Sequence, residues 1–131
     1  MEKLQFDSGV RVFRINGGAT LSFNPADPNL YVRFQTAVER LNVIGAKLCR
    51  ETEDFAVFMY QADKELKALL AWVFPGNDFE DILSGVNLLA VTKSGKTVFE
   101  NFIEALTPVL CEGAESCAEH FASMAEESKT L

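Results

Sequence analysis

One stretch of the sequence has residue types and spacing that suit a recognisable chemistry: Ala90-Val91-Thr92-Lys93-Ser94-Gly95-Lys96-Thr97. It fits the loose nucleotide-binding pattern of Ala or Gly, four residues, then Gly-Lys and Ser or Thr, placed after an apolar run (Val86 to Val91) and before a helical pattern. In such a site backbone N–H groups cradle phosphates, Lys96 reaches the terminal phosphates and Thr97 holds Mg²⁺. The plainer reading of the same residues is a polar turn followed by a helix start, with Thr97 as N-cap and Glu100 three residues on forming a capping box. Three features favour the plainer reading. The loop has a single glycine, Gly95, where close approach to phosphate favours several. A parallel sheet needs helical crossovers, and only 34 residues follow Thr97, none of them strand-like. No apolar strand ending in Asp is present to hold the metal. A nucleotide-binding protein using Lys96 and Thr97 is therefore the lesser alternative.

The remaining chemically capable residues form no catalytic constellation. His120 is the only histidine and lies three residues after Cys117, on one helical face with it. Two ligands fall short of the usual four of a structural zinc site. Cys111 and Cys117 are six apart and point to different faces, which reads as core thiols beside a surface histidine. Asp78, Glu80 and Asp81 could serve acid–base work, but three carboxylates there also make the favourable negative first turn of a helix. The expectation is a protein that is not an enzyme, with no catalytic residue, no cofactor and no metal.

Composition bounds the rest. The chain has 131 residues, 48% of them hydrophobic and 24% charged, which suits one globular domain with a sizeable core over residues 1–131. Residues 1–50 hold seven Lys/Arg against four Asp/Glu, a net of +3, whereas residues 51–131 hold five against fifteen, a net of −10. An overall charge of −7 disfavours nucleic acid as a partner, because phosphate contacts need clustered Lys and Arg. No apolar run approaches the length of a membrane span, no secretion signal opens the chain, and three cysteines do not make a disulfide framework. The reading is a cytosolic protein with no membrane partner.

The elements follow from periodicity. Val10 to Ile15 and Ala19 to Phe23 alternate at period 2 around Asn16-Gly17-Gly18, predicting a hairpin within about 4–23 whose apolar face must lie on the later helices or on a second copy. Asp27 and Pro28 then suit an N-cap and a first helical position. Leu30, Phe34, Val38, Leu41, Ile44 and Leu48 recur at helical spacing, as do Phe55, Phe58, Met59, Ala62, Leu66, Leu69, Leu70 and Val73. Asp78 opens a short helix through Leu83. A last helix starts after Thr97, with Pro108 expected to kink it and the acidic stretch Glu112 to Glu127 expected to be its least firmly packed part. The fold class is mainly α with an N-terminal β-hairpin (α+β), the helical part spanning about 28–127.

What remains is surface. Trp72, Val73, Phe74, Pro75 and Phe79 crowd a helix end, and eleven phenylalanines are more apolar area than a small core needs. With several apolar helix stripes and a pairing-competent hairpin edge, this suits self-association or capture of a partner helix, alongside the simpler reading that the aromatics are core.

The order of these features resembles a family. Leu4-Gln5-Phe6-Asp7-Ser8-Gly9-Val10, the hairpin ending in Leu21-Ser22-Phe23-Asn24-Pro25-Ala26-Asp27, Trp72-Val73-Phe74-Pro75-Gly76 with Asp81-Ile82-Leu83, and Phe99-Glu100-Asn101-Phe102 together resemble small proteins of prophage tail gene clusters. Such proteins look like tail assembly chaperones of long-tailed bacteriophages. The resemblance implies a non-enzymatic, self-associating helical protein of the bacterial host cytoplasm that binds phage tail proteins. Its client would be a long, tape-measure-like helical protein, kept soluble while the tail tube polymerises. On that reading Trp72, Phe74 and Phe79 are the expected client surface, and a structural tail component retained in the particle is the alternative.

Overall fold

The computed structural model describes residues 1–48 and 54–130. Strands β1 (Arg11–Arg14) and β2 (Thr20–Phe23) pair antiparallel in the register Arg11↔Phe23, Val12↔Ser22, Phe13↔Leu21 and Arg14↔Thr20. Four helices follow: α1 (Pro28–Leu48), α2 (Phe55–Val73), the single turn α3 (Phe79–Ile82) and α4 (Val98–Thr130). The architecture is the expected mainly α fold carrying a hairpin, although the strands begin at Arg11 and residues 1–10 belong to neither. The hairpin closes because Asn16 and Gly17 both adopt positive φ (51° and 74°), which matches the turn to the strand twist. The Gly18 N–H donates to the Ile15 carbonyl at 2.9 Å, and the Ile15 N–H to the Ala19 carbonyl at 2.8 Å.

The apolar face of the hairpin lies on the helices. Leu21 and Phe23 are buried, and the Phe23 ring stacks on Phe13 at 5.0 Å and meets Phe74 edge-on at 5.1 Å. Phe74 continues the chain of rings to Phe79 (5.9 Å) and Phe102 (6.5 Å), so one aromatic string joins the hairpin, the end of α2, α3 and α4. The opposite edge of β2 is closed by a side chain. Asn77 Oδ1 accepts the Ser22 N–H and Asn77 Nδ2 donates to the Ser22 carbonyl, both at 2.9 Å, so the amide stands in for a third strand at that residue.

Helix starts are capped as their residue types dictate. The Asp27 carboxylate accepts the Asn29 N–H at 3.0 Å, and Asp78 accepts from the N–H groups of Glu80 and Asp81. Ala37 and Ile44 of α1 join Leu66, Leu70 and Val73 of α2 in the core. The loop between α3 and α4 is fastened by an ionic cluster. Asp63 on α2 accepts the Leu88 N–H at 2.8 Å and pairs with Lys67 at 2.9 Å, and Lys67 reaches Glu80 at 3.3 Å, with Asp63 and Lys67 both buried.

Helix α4 runs unbroken through Pro108. Proline denies Glu104 its helical N–H partner, but residues 104 and 108 are exposed, so water can take the vacant carbonyl. Where α4 passes the Pro25 corner it carries Gly113, which is buried. A Cβ there would fall 2.9 Å from the Ala26 nitrogen and closer still to the Pro25 carbonyl. From Ala118 to Glu127 every residue is exposed.

Candidate functional site

The Ala90–Thr97 segment is a self-contained turn. Val91 and Thr97 form an isolated antiparallel bridge, the Thr92 N–H donates to the Lys96 carbonyl at 2.8 Å, and Gly95 takes a φ of +83°. Thr97 Oγ1 accepts the Glu100 N–H at 3.1 Å while Glu100 Oε1 accepts the Thr97 N–H at 3.2 Å, the reciprocal capping box. The Lys96 ammonium is hydrogen-bonded to Glu104, which raises its pKa above the ordinary lysine value. The cation and hydroxyl that a phosphate site would need are thus engaged in holding the start of α4, and neither strand of the hairpin leads directly into the turn.

The three aromatic residues expected at a client surface are separated by the fold. Phe74 and Phe79 are 0% and 2% exposed, and only Trp72, at 48%, reaches the surface, with the Arg33 guanidinium 5.7 Å above its ring. The physical reason is position on the chain. Phe74 is the C-cap of α2 and turns inward, where Phe23 and Phe102 complete its pocket. Phe74 and Phe79 are therefore core, not contact surface. The cysteines also differ from the expectation of core thiols, since Cys111 is exposed and Cys117 partly so, while Cys49 lies outside the described residues. His120 is exposed and its ring meets Phe121 edge-on at 5.6 Å. Among the described residues no group of three or more His, Cys, Asp or Glu is arranged to hold a metal ion, and no helix is long and apolar enough to cross a membrane.

Two concavities replace the expected surface. A cavity of about 460 Å³ lies between the inner face of the hairpin and the first half of α4; Phe13, Ile15, Phe102 and Val109 give it apolar walls, and Arg14 and Asn101 give it polar ones. A shallower groove of about 350 Å³ runs between α1 and α4, lined by Tyr31, Phe34 and Val38 on one side and Leu110, Cys111 and Ala114 on the other. The Tyr31 hydroxyl donates to the Pro25 carbonyl, and burial raises the tyrosine pKa above its ordinary value. Sequence periodicity placed Phe34, Val38, Leu110 and Ala114 on apolar helix stripes. The groove lies between α1 and α4, and periodicity within one helix does not encode how two helices are set against each other.

The fold class is settled by these observations: a mainly α protein whose hairpin is fastened to its helices by an aromatic string. Comparison with protein-family models, curated proteins and solved structures gave no match.

Proposed function

We propose that this chain is a non-enzymatic assembly chaperone that self-associates and holds a long helical client, as the resemblance to tail assembly chaperones of long-tailed bacteriophages suggests. The observation that carries the reading is the α1–α4 groove, whose walls are almost wholly apolar and which opens along its side. An amphipathic helix presents apolar groups at i, i+3, i+4 and i+7, and an apolar groove between two helices accepts such a face. A tape-measure-like protein is a long succession of such faces, so many copies of one small chain can sit along it. The net charge of −7 would turn away polyanionic partners in the bacterial cytoplasm.

The test is co-expression with a tape-measure-like protein of the same phage or prophage tail cluster, followed by affinity pull-down and light scattering. The expected result is a soluble complex with several copies of this chain per client. Cys111→Glu, an exposed change in the groove wall, is expected to abolish capture while the far-ultraviolet circular dichroism is unchanged. A client that stays insoluble beside a non-interacting chain refutes the chaperone and favours a structural tail component, which purified particles would then contain.

A further inference from the structure

The cavity between the hairpin and α4 takes no part in the proposed function, which uses the α1–α4 groove. At about 460 Å³ it falls within the roughly 300–1,000 Å³ of small-molecule sites. Its wall on α4 is a single stripe that runs from Val98 through Phe102 and Ala105 to Val109, about 16 Å at the helical rise. Ala105 is the small residue in the middle of that stripe, and its short side chain leaves the space open.

The polar groups of the wall are unequally occupied. Asn101 Nδ2 donates to Thr92 Oγ1 at 2.9 Å, and Thr92 Oγ1 donates to the Lys96 carbonyl at 2.7 Å, so this pair is spent on the turn before α4. Arg14 is the one charged residue of the lining, and it pairs with no carboxylate among the described residues. Its Nη1 approaches the Gly18 carbonyl at 3.5 Å, a long contact that places the cation at the hairpin turn, beside Asn16 of the same wall. Away from the turn the wall is apolar, where Phe13 stacks on Phe23. Residues 10–24 carry Arg11 and Arg14 and no Asp or Glu, while Glu100 and Glu104 at the start of α4 are held by Thr97 and Lys96. Screening over about 8 Å in physiological salt leaves this local charge, and not the total of −7, to decide what enters.

We propose that the cavity binds a small aliphatic carboxylate, its chain lying over Ala105 along the α4 stripe and its head paired with the Arg14 guanidinium. The planar fork of arginine matches a carboxylate with two parallel hydrogen bonds. The state of the backbone argues against a peptide as occupant. Phe13 faces Leu21 in the hairpin ladder, the α4 wall is helical, and the N–H groups of Thr92 and Val98 donate to the carbonyls of Lys96 and Ala90. A peptide would therefore bury its own amides against side chains that cannot pair with them, whereas an alkyl chain has none to bury.

Decanoate, titrated calorimetrically into the full chain below its micelle concentration, tests this. Saturable 1:1 binding is expected, with decanol binding more weakly. Arg14→Gln, an exposed change, should weaken decanoate by about tenfold to a hundredfold and leave decanol unaltered. Arg11→Gln should bind as the wild type does, because that guanidinium lies over the Phe13 ring at 5.1 Å and does not line the cavity. Ala105→Trp, which fills the space, should abolish binding of both ligands while circular dichroism shows the helices intact. Absent or unsaturable uptake overturns the proposal, as does Arg14→Gln binding decanoate like the wild type, or Arg11→Gln losing as much as Arg14→Gln. Binding kept in Ala105→Trp but lost in Cys111→Glu also overturns it, since that pattern belongs to the α1–α4 groove. Client capture is scored separately and does not bear on this result.

Discussion

Replacing Gly113 by alanine should destabilise this protein, against what helix propensity alone would say. Alanine in a helix interior is favoured over glycine by up to about 1 kcal/mol, and α4 is long enough to profit. The packing points the other way. The added Cβ would lie 2.9 Å from the Ala26 nitrogen and nearer still to the Pro25 carbonyl, and both are backbone atoms without a flexible end to swing aside. The corner cannot retreat freely, because the Pro25 carbonyl also accepts the Tyr31 hydroxyl. Overpacking of this kind costs about 1–3 kcal/mol, so a net loss of up to about 2 kcal/mol remains after the propensity gain. For 131 residues that lowers Tm by up to about 7 °C. Gly45→Ala is the internal control: it lies on α1, and a Cβ there meets nothing within 4 Å. It should gain about 0.5–1 kcal/mol and raise Tm by about 2–4 °C. Thermal and urea unfolding followed by circular dichroism reads both. If Gly113→Ala stabilises as much as Gly45→Ala, the close contact between α4 and the Pro25 corner does not exist.

Other substitutions probe the remaining fastenings. Asn77→Ala leaves the N–H and carbonyl of Ser22 without their partner, and should cost about 2–3 kcal/mol in urea unfolding, whereas Asn77→Asp, which keeps an acceptor but loses the donor, should fall between. Asp63→Ala strips Lys67 of its buried partner and Leu88 of its acceptor, and should cost about 3–5 kcal/mol by the same assay; a loss below 1 kcal/mol would mean that the pair is open to water. Acidification should weaken the α2–α3 contact. The hydrogen bond from Lys64 holds the Glu80 pKa below the ordinary glutamate value, so its stabilisation is present above that value and fades as pH falls through the lowered one. Stability of the wild type should therefore decline more steeply over that acid range than stability of Glu80→Gln.

Much of the fold was legible because local signals and tertiary needs agree. Asn16-Gly17 made the turn, Asp27 and Pro28 began α1, and the Thr97–Glu100 capping box began α4, each satisfying backbone groups within four residues of itself. The candidate site was less legible. Phe74 and Phe79 read alike as core or as surface, since a ring at a helix end is apolar in both cases. Their burial is decided by Phe23 and Phe102, far away in the chain. The Asp63–Lys67 pair reads as an ordinary i,i+4 surface pair until the Leu88 loop closes over it. Pro108 illustrates the converse. Pro108, expected to kink α4, lies within one continuous element, and the carbonyl it orphans is on the solvent side.

The Asn77 amide has a consequence for how the chain is made. It closes the outer edge of β2 from a position 55 residues later in the chain. At about 5–20 residues per second on a ribosome, the hairpin therefore waits roughly 3–11 s with that edge open, able to accept a strand from a neighbouring nascent chain. A polysome crowded with copies of this message is where mispairing would begin. Slow codons between Ser22 and Asn77 would lengthen the exposure, and a trigger-factor-like holdase at the tunnel exit would shield it.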